Sequence, residues 1–115
     1  MLTQTRIRPI DPADWPAIVA LQAETYYALE PESEAVLRSK QQLGPESCLV
    51  AASGDKLLGY CLAHPWSKQT PASLYHCYSQ PSGHETLYIH DMVVSAKARE
   101  RGIARAFLHH LEQLA

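Results

Sequence analysis

At 115 residues, 46% hydrophobic and 19% charged, the chain has the size of one small domain and enough apolar content to bury a core. A formal charge of −2 supplies no overall field toward nucleic acid or an anionic membrane, so an anion site must be local. No run approaches transmembrane length, and Met1 to Asp11 lacks the apolar segment of a signal peptide, so the expectation is a cytoplasmic protein with no nucleic-acid or membrane partner.

Arg6 to Ile10 reads as a short strand, with Pro9 holding it near an edge or its end. A helix start follows: Asp11 is a good N-cap, Pro12 falls at the first helical position, Asp14 at the third, and Ile10 can staple onto Trp15. Ile18, Val19 and Leu21 continue the apolar stripe toward Tyr26. After Glu30-Pro31-Glu32 a second helix carries Ala35, Val36 and Leu37 and ends at Gly44-Pro45. Cys48 to Ala52 and Leu57 to Ala63 read as a β-hairpin about a turn at Ser53-Gly54-Asp55. From about Pro65 to His84 periodicity fails, with Pro71, Pro81 and Gly83 interrupting a long connection of the kind that often carries function. Thr86 to Val94 is the clearest strand, and Ile103, Phe107, Leu111 and Leu114 mark the face of a last helix. The order is β-α-α-β-β-β-α, one α/β unit without internal repeats.

The junction Ser95 to Ala104 admits two readings. In one, Ser95 caps a helix running through to Ala115. This puts Gly102 inside it at a cost of roughly 1 kcal/mol relative to alanine, and loads Lys97, Arg99 and Arg101 onto first turns where the macrodipole disfavours cations. In the other, the helix starts near Arg101 and the preceding loop is an anion cradle. Unpaired N–H groups at the helix start and the arginines would hold a phosphate, and the missing Cβ of Gly102 would let it approach.

Arg99-x-x-Gly102-x-Ala104 is similar to the Arg/Gln-x-x-Gly-x-Gly/Ala signature of the GCN5-related N-acetyltransferase (GNAT) superfamily. The wider stretch from Leu87 to Val94, the loop, and Arg99 to Leu108 resembles that family's fourth strand and third helix, and the earlier elements follow its layout. The resemblance implies an α/β (α+β) fold with a mainly antiparallel sheet. It also implies acetyl-CoA as cosubstrate and acetyl transfer to a primary amine of a small molecule or protein by direct attack in a ternary complex. Met92, Val93 and Val94 would face the pantetheine arm and thioester carbonyl. Arg99, Glu100, Arg101, Gly102, Ile103, Ala104 and Arg105 would hold the pyrophosphate, chiefly through backbone N–H groups. Family members continue past this helix with a strand, a helix and two strands. Residues 1–115 are therefore expected to be a single, C-terminally incomplete N-acetyltransferase domain, whose open sheet edge could serve a homodimer. The alternative is a catalytically inactive CoA-binding, regulatory or dimerising half-domain.

Amine acetylation needs a base, and Glu85, His90 and Asp91 are the candidates on or beside the last strand. A free histidine side chain has a pKa near 6.5, which suits a base; a strand histidine satisfied by neighbouring backbone is the competing reading. Strand parity puts Tyr88, His90 and Met92 on one face and Asp91 on the other, unless a bulge reverses the relation midway. His64, His76 and His84, in or beside the long loop, show no paired ligand spacing, and His109-His110 point to different helix faces, so no metal is expected. Tyr26, Tyr27, Trp66, Tyr75 and Tyr78 could line the acceptor pocket. Cys48, Cys61 and Cys77 form no Cys-x-x-Cys pair; the first two read as small buried hydrophobes, giving no support for an acyl-enzyme.

Overall fold

The computed structural model describes residues 5–25, 31–69 and 77–114. Strand β1 (Arg6–Pro9) leads into the expected capping box. The Asp11 side chain accepts from the Ala13 N–H at 3.0 Å, while the Asp14 carboxylate accepts from the Asp11 N–H at 2.7 Å. The box starts a single 3-10 turn, Pro12–Asp14, that passes into helix α1 (Trp15–Thr25). Both oxygens of Asp14 also accept from the Arg8 guanidinium, at 2.8 and 2.9 Å, which ties β1 to the helix start. Ser33 caps helix α2 (Glu34–Leu43), accepting from the Val36 N–H at 3.2 Å.

Strands β2 (Cys48–Ser53), β3 (Lys56–Trp66) and β4 (Thr86–Val94) complete a four-stranded sheet in the order β1-β2-β3-β4, antiparallel throughout. The element order is the expected one. Strand β3 runs three residues past its expected end at Ala63 and includes Pro65. Strand β2 has already ended at Cys48, opposite Leu62, so beyond that point β3 pairs only with β4 and its proline interrupts no second ladder. His64 therefore belongs to β3 rather than to the long loop.

The two readings of the 95–104 junction each capture part of the result. Ser95 does cap: its Oγ accepts from the Lys97 N–H at 3.4 Å and its carbonyl from the Ala98 N–H at 2.9 Å. What it caps is a short 3-10 helix, Ala96–Arg101, that stops at Gly102, and helix α3 (Ile103–Leu114) begins afresh.

Helices lie on both faces of the sheet. Ile18 and Leu21 of α1 and Leu37 of α2 pack with Ile10, Trp15, Cys48, Val50, Tyr60, Leu62 and Val93. Ile103, Phe107 and Leu111 of α3 pack on the other face with Leu49, Ala51, Leu58, Cys61 and Ala63. Burial on both faces is why β2 and β3 read as unbroken apolar runs instead of alternating ones. Leu114, expected on the α3 core face, is 44% exposed. A Cβ on Gly59 would come within 2.8 Å of the Val93 carbonyl and 3.4 Å of the Phe107 ring. The bare glycine thus lets β4 and α3 close onto β3.

The Arg8 hydrogen bonds hold the Asp14 carboxyl below its ordinary value of 3.8, and the Asp11 N–H acts in the same direction against burial. With the folded pKa the lower one, this stabilisation is complete above the ordinary value and lost as pH falls through the folded one. Asp14→Asn is expected to cost about 1 kcal/mol at neutral pH and progressively less below pH 3.8. Urea denaturation at a series of pH values measures this; a difference independent of pH would contradict it.

Candidate active site

Strand β4 carries one residue more than β3 can pair. Leu62 faces Asp91 and Ala63 faces Ile89, which leaves His90 as the inserted residue of a β-bulge. Before the bulge Leu87 packs on the α3 side; after it Met92 and Val94 do, while Val93 faces α1 and α2. The reversal puts His90 and Asp91, neighbours in sequence, on the same face of the sheet. Parity alone would have separated them.

That face holds a polar cluster under α1 and α2. His90 Nε2 lies 2.9 Å from Glu32 Oε1, with side chains only 3% and 6% exposed. With Glu32 as a carboxylate, Nε2 carries the hydrogen, and in the neutral ring Nδ1 holds the lone pair. Glu32 is fixed by Gln22 of α1, whose side-chain amide donates to the Glu32 carbonyl at 3.0 Å and accepts from the Glu32 N–H at 3.1 Å. Asp91 is bound differently: the Tyr60 hydroxyl donates to it at 2.6 Å inside the core. Lys40, wholly buried on α2, sits 4.4 Å from the Tyr78 ring centre, and Tyr78 packs edge-on against Trp66 at 4.7 Å. Burial pushes the Lys40 pKa down, while the charge of Glu32 opposes the shift. Of the aromatic residues expected near an acceptor, Trp66 and Tyr78 meet here; Tyr26, Tyr27 and Tyr75 lie outside the described residues, as do Leu74 and His76.

The other edge of β4 is open in the described sheet. The Ser95 N–H donates to the Leu58 carbonyl at 2.7 Å and the Val93 carbonyl lies against Gly59, so residues 93 and 95 direct their backbone groups toward β3. By strand alternation Met92 and Val94 direct theirs outward. The Val94 carbonyl accepts from Arg99 Nε at 3.4 Å, consistent with that direction. Of the three strand residues expected to meet the cosubstrate, Met92 and Val94 offer backbone groups, whereas Val93 is turned inward with its side chain in the core.

Beyond the strand, Arg99, Glu100, Arg101, Ala104 and Arg105 are exposed around the start of α3, while the Ile103 side chain is buried. The first intrahelical bond of α3 runs from the Ala106 N–H to the Gly102 carbonyl at 3.0 Å, so the N–H groups of 103 to 105 precede the ladder. Gly102 has φ +72 and ψ +25, and a Cβ there would meet no atom within 4 Å. The backbone conformation calls for glycine, and the space beside it is open. Orphan donors, flanking arginines and open space fit a pyrophosphate.

Glu85, the remaining base candidate, lies apart. It lines a cleft of about 520 Å³ with His84, Leu43, Pro65 and Leu114, five residues and roughly 16 Å along the strand from His90. Cys48 and Cys61 are buried, with thiols pushed up to about 12, mainly by burial, which makes neither a nucleophile at neutral pH. Among the described residues no group of three or more His, Cys, Asp or Glu side chains is placed to hold a metal ion, and no helix is long and apolar enough to cross a membrane. The sequence reading missed Glu32. It sits between a proline and a cap residue, and nothing local distinguishes it from a solvated acid.

Comparison with known proteins accounts for this layout. Residues 15–115 match the Acetyltransferase (GNAT) family, and the chain belongs to it. Among solved structures, Ard1 from Thermoplasma volcanium superposes with a TM-score of 0.72 at 18% identity, covering 96% of this chain and 62% of that one. The ribosomal-protein-S18-alanine N-acetyltransferase from Escherichia coli gives 0.64 at 16% identity, covering 94% of this chain and 57% of that one. The diaminobutyrate acetyltransferase EctA from Paenibacillus lautus, in complex with L-2,4-diaminobutyric acid and coenzyme A, gives 0.66 at 21%, with coverages of 95% and 57%. At these identities the likeness is one of fold, and the chain spans about six-tenths of each of these proteins. No curated protein sequence matches it.

The Gly102 geometry makes a stability prediction free of steric terms. Gly102→Ala is expected to cost about 1 kcal/mol, the price of a left-handed residue with a Cβ, and Gly102→Asn distinctly less, since asparagine tolerates that region. Equal losses for the two, read from chemical denaturation, would show that φ is not what the position requires.

Proposed function

We propose that this GNAT-family chain serves acetyl-CoA-dependent acetylation of a primary amine, on a small molecule or a protein, by direct attack in a ternary complex. One observation carries the reading. The bulge at His90 presents a carboxylate-oriented imidazole on one side of β4, and outward backbone groups lead along its open edge to the Gly102 turn. Acetyl-CoA would lie along that edge, its pyrophosphate at the N–H groups of residues 103 to 105 and its pantetheine arm beside Met92 and Val94. The structural neighbours support the choice of acceptor: one is named for N-acetylation of an alanine, and another is bound to a diamino acid and coenzyme A.

In this reading His90 Nδ1 takes a proton from the attacking nitrogen, and Glu32 holds the ring in the tautomer that leaves Nδ1 free. The nitrogen forms its bond to the acetyl carbon, the carbon–sulfur bond breaks, and the sulfur leaves with its electron pair and takes up a proton. An outward N–H of β4 would meet the charge that develops on the carbonyl oxygen. Asp91, spoken for by Tyr60, supports the strand rather than the proton transfer. Residues 1–115 would belong to one N-acetyltransferase domain acting in the cytoplasm. A second reading, a CoA-binding module without transfer activity, is favoured by the near-complete burial of the His90 side chain.

Calorimetry with CoA and an acetyl-CoA consumption assay over a panel of primary amines separate the readings. Transfer supports the first, binding without turnover the second, and no binding at high micromolar CoA rejects both. Gly102→Glu should abolish CoA binding while the circular dichroism spectrum stays native. His90→Gln is expected to lower kcat about 100-fold and flatten the acidic limb of the rate–pH profile. An intact limb would exclude His90 as the base.

A further inference from the structure

His64 is wholly buried in β3, yet its Nε2 meets no hydrogen-bond partner among the described residues. The other ring nitrogen is committed. Nδ1 lies 3.0 Å from the Pro65 carbonyl, and since a carbonyl only accepts, Nδ1 carries the hydrogen and Nε2 a bare lone pair. Burying an acceptor without a donor is costly, and an apolar ring of similar size would avoid that cost. The lone pair therefore points to a donor that exists in another state of the site.

Among the described residues three rings lie against His64: Trp66 edge-on at 5.1 Å, Tyr88 at 5.6 Å and His90 at 6.4 Å between centres. Only His90 changes its number of hydrogens during the reaction proposed above. At rest its single N–H is given to Glu32; once it takes the amine's proton, Nδ1 becomes a second donor. The two imidazole planes are 34° apart. Their centres stand about 1 Å beyond the separation for a direct N–H···N bond, and the contact forms when the His90 ring shifts and turns its new N–H from the amine toward His64.

We propose that His64 is a positioning residue for His90, its Nε2 accepting a hydrogen bond from His90 Nδ1–H in the state where His90 holds the amine's proton. The inference rests on the reading of His90 as the base. One proton moves: an N–H bond of the amine breaks, Nδ1–H forms on His90, and the electron pair stays on the amine nitrogen for the acetyl carbon. His64 neither gains nor loses a proton. Burial keeps it neutral by pushing its pKa down, with His90 and Lys40 acting the same way and the Pro65 carbonyl opposing. Among the described residues, the titratable and charged groups on this face include Glu32 before α2, Lys40 on α2, Cys77 and Tyr78 of the long loop, Cys48 of β2, Tyr60 of β3, and Tyr88 and Asp91 of β4. The His64 lone pair is matched only when His90 is charged, so it favours the proton-loaded state selectively.

Nuclear magnetic resonance of the histidine ring nitrogens in 15N-labelled protein, titrated with acid in the absence of substrate, tests this directly. In the wild type the His64 Nε2 signal should stay unprotonated yet move in step with the titration of His90. In His64→Phe the apparent pKa of His90 should fall by about one unit, a tenfold loss of proton affinity, and His64→Gln, which keeps an acceptor oxygen, should recover part of it. An unchanged His90 titration in His64→Phe, or proton uptake by His64 itself in that range, would overturn the proposal. Should His64→Phe not fold, the wild-type Nε2 signal decides alone: a stationary signal while His90 titrates rejects the contact. The measurement needs no turnover. Absence of acetyl transfer in the wild type would count against the function and leave this result standing.

Discussion

A strand one residue too long for its partner must either slip register or put the surplus somewhere. Slipping β4 by one position would carry every side chain to the opposite face and expose the Val93 contacts on which α1 and α2 rest. The surplus is instead absorbed at His90, and the strand leaves the bulge with its parity reversed. Everything that distinguishes this edge follows from that choice. His90 and Asp91 share a face, Met92 and Val94 pack toward α3, and the backbone groups of those two residues come to line the free edge. The same reversal aims the strand end at the 3-10 helix and the Gly102 turn.

The second constraint is the cost of placing charge beneath two helices. Glu32, Lys40 and the two imidazoles are largely withdrawn from water, and a buried ion without a partner would lose far more than a buried ion pair gains. The cluster meets this by closing on itself: Glu32 lies between His90 and the positive field of Lys40, and Lys40 rests against the Tyr78 ring. Gln22 fixes the Glu32 backbone with both ends of its amide, so the carboxylate's position is set by α1 and not by its own rotamer alone. Such networks hold one geometry well when every member is satisfied. The unpartnered nitrogen of His64 is the exception within it.

Much of this was legible from the sequence because it rests on local chemistry. The capping box at Asp11, the strand-turn-strand around Gly54 and the three- and four-residue spacing of Ile103, Phe107 and Leu111 are each decided by residues within a few positions of one another. Gly102 was legible for the same reason, since a glycine among cations at a helix start breaks two local rules at once. The 3-10 helix before it was not: Ser95 caps equally well whether the turn continues or stops. Pro65 hid the end of β3 because a proline excludes a strand only where both edges pair, and that depends on where β2 ends. The Glu32–His90 contact spans 58 residues. No periodicity reports a pairing between a breaker segment and a distant bulge, so the acid that orients the histidine emerged only with the fold.

His90 and Asp91 show how far neighbouring residues diverge once a bulge sets them side by side. Asp91 faces Tyr60, a wholly buried side chain, and its short hydrogen bond ties β4 to β3 through the core. His90 faces Glu32, which hangs from a connection between helices instead of from the sheet. Glu32 is in turn held by the Gln22 amide, so Asp91 is joined to β3 and His90 to α1. In the proposed chemistry that difference, more than the intrinsic basicity of either side chain, divides the labour. There Asp91, joined to the sheet, would hold the edge of β4 for its ligand, and His90, joined through Glu32 to the helix layer, would handle the proton.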